Sequence, residues 1–332
     1  MKRSLAFSVA LAFFACGMAF AAGPAVKVQI GFENSMTEPV GQGLVKWQQL
    51  VKEKGDGSME IVLYPDSQLG SKNSLIDSML LGEPVITLAD GAFYADYGVK
   101  DFGIVFGPFL FDTWEQVWKL TESDWYKNQC GLLEKKGLKI LSSNWKYGDR
   151  HTQTTKLVQG PDDLKGLKVR VPTNKIQTDG FNALGATAVG LPLGETYEAL
   201  TTGTISGVEN PLATLYGRKF QEVAKYILLD GHVKNFTTWI CGTTFFNSLT
   251  PAQQKLLIET GKEAGFYNNK VLENAEQGYL DKFVAEGVTI TKLSDANRQK
   301  FQVAAKTFYA NGTKLGWSPK LYETVRTAMG AK

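Results

Sequence analysis

Histidine and cysteine are scarce in this chain of 332 residues. It contains two histidines, His151 and His232, and three cysteines, Cys16, Cys130 and Cys241. A His-Glu-x-x-His zinc site or a cage of closely spaced thiolates is therefore not predicted, and we expect no metal. We interpret His232 as a hydrogen-bonded structural residue rather than a general base. Two cysteines as distant in sequence as Cys130 and Cys241 do not indicate a disulfide framework, although the two could pair.

Several common catalytic motifs are also missing. The chain has no Gly-x-Ser-x-Gly segment, no Gly-x-x-x-x-Gly-Lys-[Ser/Thr] segment and no Gly-x-Gly-x-x-Gly segment after a strand. These motifs position a nucleophilic serine, a nucleoside phosphate and a dinucleotide, respectively. The sequence thus gives no indication of a common hydrolase, kinase or dehydrogenase. We expect a protein that uses no cofactor and is not an enzyme.

The chain has no large excess of charge of either sign. Of its 36 basic residues, Lys2 and Arg3 lie in the amino-terminal leader described below, which leaves 34 against 33 acidic residues. Such a balance creates no long-range field for nucleic acid or for an anionic membrane, so neither is predicted as a partner. A charged ligand must therefore be recognised by local contacts.

The amino terminus has the pattern of a secretory signal. The basic start Lys2-Arg3 precedes an apolar run at residues 5–18 and a small-x-small cleavage site at residues 19–21. The apolar run is short for a membrane span. We predict a signal peptide at residues 1–21 and a mature protein that is exported and not inserted into the membrane.

Strand and helix patterns alternate along the mature chain, which indicates an α/β fold with parallel sheet and covering helices. Two such blocks, the second beginning near Leu138, predict two lobes. A helix is expected to begin at Asp112 and to run toward Lys136. The other predicted strands are 26–31, 59–64, 85–88, 168–171, 186–189 and 206–209, and the other predicted helices in the two blocks are 39–54, 71–81, 176–184 and 196–200.

A long helix is predicted in the last third of the chain. Thr250-Pro251-Ala252-Gln253 combines a capping residue, proline at the first helical position and glutamine at the third. The helical pattern continues to about residue 286, with Gly261, Gly265 and Gly278 as candidate bends. A helix of this length can lie across both lobes. Shorter helices are expected at 295–311 and 319–329.

One short strand raises a question about an arginine. In "DLKGLKVRVPTN", residues 163–174, period-two alternation places Leu167, Val169 and Val171 on one face and Lys168 and Arg170 on the other. Arg170 either lies on a solvated face, as charged side chains usually do, or points toward a ligand. The pattern alone does not decide between these two interpretations.

Four segments together resemble the solute-binding proteins of TRAP transporters, the tripartite ATP-independent periplasmic importers. They are "LYPDSQLGS" at 63–71, "DLKGLKVRVPTN" at 163–174, "LGATAVGLPLGETYEAL" at 184–200 and "GTISGVENPL" at 203–212. The resemblance extends over nearly the whole mature chain. It implies a two-lobed periplasmic binding-protein fold with a long helix spanning both lobes and a ligand cleft between them.

The resemblance also implies which residues bind the ligand. The residue matching Arg170 holds the ligand carboxylate in that family, and a guanidinium fork suits this role because it makes two parallel hydrogen bonds to a carboxylate. Arg150 matches a second arginine that helps bind the anion, although it could be a surface arginine in a turn. Asn210 matches an asparagine near the same carboxylate, although an Asn before Pro211 also favours a turn.

Further contacts are expected from the remaining walls of the cleft. Asp90 and Glu33 match polar positions of the first lobe, although Asp90 is also placed to cap a helix. Leu193 stands where some family members have an aromatic contact. Trp239 and Phe236 could supply aromatic walls, although aromatic residues in strand-like runs are more often part of the core. Two acids facing the cleft favour a polyhydroxy or amino-bearing carboxylate, because such ligands offer hydrogen-bond donors.

The resemblance implies a periplasmic protein that binds a small organic acid, such as a sugar acid, and delivers it to the small and large TRAP membrane subunits. The expected division is residues 24–147 with about 236–275 in lobe I, and residues 148–235 with about 276–329 in lobe II. Presentation of the ligand to a sensor, an exported enzyme using the same cleft, and a dicarboxylate, oxo-acid or amino-acid ligand are the alternatives left open.

Overall fold

A computed structural model describes residues 25–331; the expected signal peptide at residues 1–21, including Cys16, lies outside this range. The described strands belong to one mixed sheet. They are β1 (Val26–Gly31), β2 (Met59–Tyr64), β3 (Val85–Ala89), β4 (Leu138–Thr154), β5 (Lys168–Val171), β6 (Thr187–Gly190), β7 (Gly207–Pro211), β8 (Tyr226–Gly242) and β9 (Thr289–Lys292).

Helices pack against this sheet. They are α1 (Pro39–Lys54), α2 (Lys72–Leu80), α3 (Gly91–Asp96), α4 (Trp114–Glu122), α5 (Asp124–Glu134), α6 (Pro161–Leu164), α7 (Lys175–Ala183), α8 (Thr196–Thr201), α9 (Leu212–Gly217), α10 (Thr243–Ser248), α11 (Pro251–Ala285), α12 (Asp295–Ala310) and α13 (Leu321–Ala328). No helix within residues 25–331 combines the length and the apolar character that crossing a membrane requires.

Two groups of parallel strands are joined by two long antiparallel strands. The strand order is β2-β1-β3-β8-β4-β7-β5-β6, with β9 beside β8. We call β1, β2 and β3 the first strand group and β5, β6 and β7 the second strand group; within each, the strands pair in parallel. The prediction of parallel sheet was therefore incomplete, because β4 and β8 pair antiparallel with each other and with a neighbour on each side.

The long strands β4 and β8 pass from one strand group to the other. The carboxyl-terminal part of β8 pairs with β3, whereas the carboxyl-terminal part of β4 pairs with β7. The ladder between β4 and β8 shifts register at several points, including one between Lys146 and Gly148. Gly148 has a φ of 131°, which disfavours any residue with a side chain, and a Cβ there would lie 2.8 Å from Pro211. Glycine is therefore favoured at position 148, where β4 passes between the two strand groups.

The long helix α11 begins and ends as predicted. Thr250 accepts a hydrogen bond from the Gln253 backbone, and the Gln253 side chain bonds back to the Thr250 N–H, which completes a capping box. Its 35 residues span about 50 Å at 1.5 Å per residue. The helix continues through all three candidate bends. Gly261 and Gly265 instead allow Trp47 and Trp145 to approach the helix, because a Cβ at either glycine would lie 2.7 Å from the indole ring.

One further prediction, a single helix after Asp112, is corrected by the structure. The helix expected from Asp112 toward Lys136 is two helices, α4 and α5, separated at Ser123, whose hydroxyl accepts from the Tyr126 N–H. The residue that caps α4 is Thr113, not Asp112. The last helix, α13, packs against α4 and α5. Cys130 and Cys241 are both free thiols.

Candidate functional site

A cavity lies where the carboxyl ends of the two strand groups meet. Glu33 lies shortly after the end of β1, and Asp90 directly follows β3. Arg170 lies near the carboxyl end of β5, and Asn210 lies near the carboxyl end of β7. Ligands of open α/β sheets bind at such strand ends. The lining residues are Glu33, Lys72, Leu88, Asp90, Tyr147, Arg150, Arg170, Pro172, Gln177, Leu193, Asn210, Asn235 and Thr237.

The free space in this cavity is small. It amounts to about 20 Å³, enough for about one water molecule. A larger cavity of about 180 Å³ lies beside Trp114 and Tyr279, but its one lining lysine, Lys146, already pairs with Glu273. Chemistry rather than volume therefore identifies the site. A ligand larger than water can enter it only if the walls move apart.

Arg170 is buried and largely unpaired. Its side chain is 2% exposed, so it does not lie on a solvated face. Its Nε donates a hydrogen bond to the Leu191 carbonyl at 2.8 Å, and its two terminal nitrogens have no hydrogen-bond partner among residues 25–331. Burial lowers the Arg170 pKa to about 10, against the opposing attraction of Glu33 and Glu209. The guanidinium thus remains charged at neutral pH, with two adjacent N–H groups available.

Arg150, in contrast, already holds a carboxylate. Its Nε and Nη2 donate to the two carboxylate oxygens of Glu209, the second at 2.6 Å, and its Nη1 donates to Asn235 Oδ1 at 3.0 Å. Burial acts to lower the Arg150 pKa, but the Glu209 carboxylate outweighs burial and raises it. Arg150 is therefore a buried residue of β4 and not a surface arginine in a turn. Glu209 was not among the predicted site residues.

The ion pair continues into a buried network around His232. The His232 ring nitrogens lie 3.1 Å from Glu209 Oε2 and 3.1 Å from Asp230 Oδ1, and Thr152 donates to Asp230 at 2.7 Å. Burial acts to lower the His232 pKa, but the two carboxylates raise it to about 9. The pKa values of Glu209 and Asp230 are lowered in turn, because their charged partners outweigh burial. His232 is a hydrogen-bonded buried residue, as predicted.

On the opposite wall, two acids lie beside a lysine. Asp90 caps α3 by accepting from the Ala92 N–H at 2.9 Å and also lines the cavity, so both interpretations of Asp90 hold geometrically. Burial raises its pKa. Glu33 lies 3.6 Å from Lys72 Nζ, and that ammonium lies 4.5 Å from the centre of the Phe93 ring. Lys72 was not predicted, because it opens a helix whose other residues gave no sign of the cavity.

The remaining predicted residues divide into two sets. Asn210 and Leu193 line the cavity, and the Asn210 amide has no hydrogen-bond partner among the described residues. Trp239 and Phe236, which the sequence offered as possible aromatic walls, do not line it. The indole of Trp239 packs between Trp47 and Trp145 in the core, and Phe236 packs against Tyr126. Both rings fill the apolar interior, where the core interpretation had placed them.

Tyr147, Gln177, Asn235 and Thr237 complete the polar part of the lining and were also missed, and the apolar residues Leu88 and Pro172 make up the rest. Asn235 and Thr237 are polar residues within the segment "VKNFTTWI" of β8. Polar residues in an otherwise apolar strand indicate that one face of the strand does not pack against the hydrophobic core. The side chain of Gln177 lies at the start of α7 with its buried Oε1 unpartnered among the described residues. Among the described residues, the site thus carries two amide side chains with unbonded polar atoms, Gln177 and Asn210, around the guanidinium of Arg170, which has no ion pair.

Comparisons with known proteins agree with this geometry. The family model for DctP, bacterial extracellular solute-binding protein, family 7, matches residues 30–314, so the chain belongs to this family. A TRAP periplasmic solute binding protein from Ochrobacterium anthropi, with bound L-fuconate, is 37% identical, with a TM-score of 0.87 over 92% of this chain and 99% of that one. A TRAP periplasmic solute binding protein from Actinobacillus succinogenes, with bound L-galactonate, is 33% identical, with a TM-score of 0.88 over 92% and 99%.

A third solved structure is a TRAP periplasmic solute binding protein from Escherichia fergusonii in an apo open form. It is 28% identical, with a TM-score of 0.76 over 91% of this chain and 99% of that one. The predicted family and the predicted two-lobed α/β binding-protein fold are confirmed.

Proposed function

We propose that this solute-binding protein of family 7 captures a polyhydroxy monocarboxylate, such as a sugar acid, with the carboxylate held by Arg170. The observation that carries the proposal is the buried Arg170 fork with two unpaired terminal nitrogens. An unpaired buried charge is costly, and a carboxylate offers two acceptors at matching spacing. A bound acid would therefore satisfy the charge and the hydrogen bonds of Arg170 together.

The balance of charge in the cavity favours a single carboxylate. Arg150 is neutralised by Glu209, and Lys72 lies beside Glu33, which leaves Arg170 without an ion pair among the described residues. Asp90 is a further acid on the same wall. A second carboxylate on the ligand would have to be buried near Glu33 and Asp90, where like charges repel. A dicarboxylate is therefore disfavoured relative to a monoanion.

The same acids favour hydroxyl groups on the ligand. Carboxylates and amide oxygens accept hydrogen bonds, and Glu33, Asp90, Asn210 and Gln177 all line the cavity. Hydroxyls along a short carbon chain would donate to these acceptors and would also accept from Lys72. The relatives with bound L-fuconate and L-galactonate hold ligands of this chemical class.

Binding is proposed to accompany closure of two lobes. The higher TM-scores to the two ligand-bound relatives than to the open apo relative support assignment of the present arrangement as closed. The register shift near Gly148 supports a lobe boundary close to residues 147 and 148. We place lobe I at about 25–147 and 236–275 together with α13, and lobe II at about 148–235 and 276–310. A ligand that binds the closed form better shifts the equilibrium toward closure.

The partners follow from the family and not from any contact seen in this chain. Family 7 proteins are binding proteins, and the relatives described above are TRAP periplasmic proteins. Export by residues 1–21 into the periplasm, and delivery of the acid to small and large TRAP membrane subunits, are part of the proposal. The closed form would be the one that these subunits recognise.

A thermal-shift and calorimetry screen tests the ligand class. Purified mature protein is mixed with L-galactonate, L-fuconate, galacturonate, succinate, and galactitol as the uncharged matched control. We expect one or more of the sugar acids to raise the melting temperature by mass action, and neither galactitol nor succinate to do so. Stabilisation by succinate alone, or by galactitol as strongly as by L-galactonate, would contradict the proposal.

A further inference from the structure

A second buried polar cluster lies next to the ligand cavity. Glu38, immediately before α1, is 2% exposed. Its Oε2 accepts hydrogen bonds from Asn34 Nδ2 at 2.7 Å and from Thr214 Oγ1 at 2.9 Å, and its Oε1 accepts from the Ser35 N–H at 2.9 Å. Tyr147 Oη lies 2.8 Å from Asn34 Nδ2 and also lines the ligand cavity. The cluster therefore adjoins the site.

The cluster joins the two strand groups. Helix α1 packs against β2 of the first group, whereas Thr214 lies in α9, which directly follows β7 of the second group. The fit is close, because a Cβ at Gly217 of α9 would lie 2.7 Å from Glu38 Oε1. The bond between Glu38 and Thr214 can form only when the two groups are together. Separation of the groups would expose the Glu38 carboxyl to water.

We propose that Glu38 takes up a proton when the cleft closes, so that capture of the solute is coupled to proton binding. The proposal rests on the proposed function, since it assumes that the two strand groups separate to admit a ligand. It goes beyond that function because Glu38 lies outside the ligand cavity. Glu38 acts on the closing equilibrium rather than on the ligand itself.

The surroundings of Glu38 contain little positive charge to hold it ionised. The groups that face it are Asn34 and Thr214, the phenols of Tyr147 on β4 and Tyr279 on α11, and Arg218 beyond the end of α9. Arg218 is the one cation among these groups, and its Nη1 is 3.1 Å from Asp66 Oδ1 and 3.3 Å from the Glu33 carbonyl. Its attraction is therefore shared with another carboxylate.

Burial accordingly dominates the titration of Glu38. It raises the Glu38 pKa to about 7, although the bonds from Ser35, Asn34 and Thr214 and the attraction of Arg218 oppose this. The cluster can accommodate the proton, because the Thr214 hydroxyl can accept from a protonated Glu38 and donate to Tyr147 Oη, which lies 3.2 Å away. Exposure to water in an open form would return the pKa toward about 4.3, the usual value for glutamate.

The sign of the effect follows from this difference. A pKa that is higher in the closed form favours closure at low pH, and the advantage is lost as pH rises through the closed-form value near 7. Solute binding at pH 6 should therefore take up a proton. The dissociation constant should increase between pH 5 and pH 7, by at most about tenfold per pH unit for one proton.

Calorimetry with L-galactonate in buffers of different ionisation enthalpy counts the protons directly. At pH 6 we expect the wild-type protein to take up more than half a proton on binding, and Glu38→Gln to take up none while its affinity is constant from pH 5 to pH 7. Glu53→Gln, an exposed change on α1, should behave as the wild type does. Equal proton uptake in Glu38→Gln and the wild type, or no uptake in the wild type, would overturn the proposal.

A measurement without ligand separates failure of this proposal from failure of the proposed function. Nitroxide labels at Lys52→Cys on α1 and Thr187→Cys on β6, both exposed positions, report the separation of the strand groups. We expect the closed fraction to be larger at pH 5.5 than at pH 8, whether or not any sugar acid binds. A distance distribution that does not change with pH refutes the role of Glu38.

Absence of binding to every acid, with this pH response intact, refutes only the ligand assignment. The label experiment also needs no Glu38 variant, so it remains decisive if Glu38→Gln does not fold.

Discussion

Arg150 and Glu209 form a buried fork-to-carboxylate pair inside the cavity wall, with Nε and Nη2 of the arginine on the two carboxylate oxygens. On Arg170, whose Nε already donates to the Leu191 carbonyl, a bound organic acid would instead be held by the two terminal nitrogens. Of the two arginines that line the cavity, Arg150 is thus bonded to a carboxylate of the protein, whereas Arg170 pairs with none among the described residues. The contrast assigns different roles to two arginines that the sequence alone had placed together.

Replacement of Arg170 tests the proposed ligand contact. We expect Arg170→Lys to weaken binding of a sugar acid at least tenfold, about 1.4 kcal/mol or more, because lysine keeps the charge but loses the two parallel hydrogen bonds. Titration calorimetry measures this loss, and the melting temperature of the free protein checks the fold. Lys168→Gln, at the exposed start of the same strand, serves as the matched control. Unchanged affinity in Arg170→Lys would show that Arg170 does not hold the ligand carboxylate.

The elements that were predicted best from the sequence are those whose signals lie within a short segment of the chain. The bounds of β1, α1, β2 and α11 agree with the prediction because alternation, apolar periodicity and a capping box lie within the segments themselves. The strand β8 was missed because Asn235 and Thr237 face the cavity and interrupt the apolar pattern. Its polar positions are understood only once the opposite wall is known.

Contacts between residues that are distant in sequence could not be predicted either, because they depend on how the strands and helices pack together. Glu209 meets Arg150 because β7 and β4 pair antiparallel, a register set by the whole sheet. Lys72 meets Glu33 because α2 packs beside the end of β1. The position of Trp239 was left open because an aromatic residue in a strand has the same sequence pattern whether it faces a cleft or, as here, two other indoles in the core.

Two glycines of α11 provide a matched test of helix packing. Gly265→Ala should destabilise the protein by about 1–3 kcal/mol, because the new Cβ would lie 2.7 Å from Trp145 and from Asn144 Oδ1. Gly278→Ala meets no atom within 4 Å and should stabilise the protein by up to about 1 kcal/mol through helix propensity. Urea unfolding gives both free energies. Equal effects of the two changes would show that Gly265 is not a close-packing position.

Removal of the internal partner of Arg150 should affect stability strongly. Glu209→Ala leaves Arg150 and His232 buried without the carboxylate that joins them. Breaking a buried pair in this way typically costs about 3–5 kcal/mol, and we expect a loss of this size in the free energy of unfolding. Glu115→Gln breaks the exposed pair with Lys119 and should change the unfolding midpoint little. Similar midpoints for the two variants would indicate that water enters the network around Arg150.

The His232 network also predicts how stability depends on pH. The His232 pKa is raised to about 9 in the folded protein, above the usual value of about 6.5, so its contribution is complete below pH 6.5 and is lost as pH rises through 9. The pKa values of Glu209 and Asp230 are lowered, so their contribution is present above their ordinary values near pH 4 and is lost as pH falls below them.

Between pH 7.5 and 9, where most of Glu38 is already ionised, the free energy of unfolding of the wild type should therefore decrease. His232→Gln should lower stability at pH 7.5 and make its decrease up to pH 9 shallower than in the wild type, because His232 no longer releases a proton. The slope that remains comes from the thiols of Cys130 and Cys241, whose pKa values burial raises to about 12 in the folded protein. His151→Gln is the control, since His151 accepts from the Gly231 N–H on the other side of Asp230 and leaves the bond between His232 and Glu209 in place. Urea unfolding at several pH values measures the slope. A slope in His232→Gln equal to that of the wild type would mean that another group titrates there, and the raised pKa could not then belong to His232.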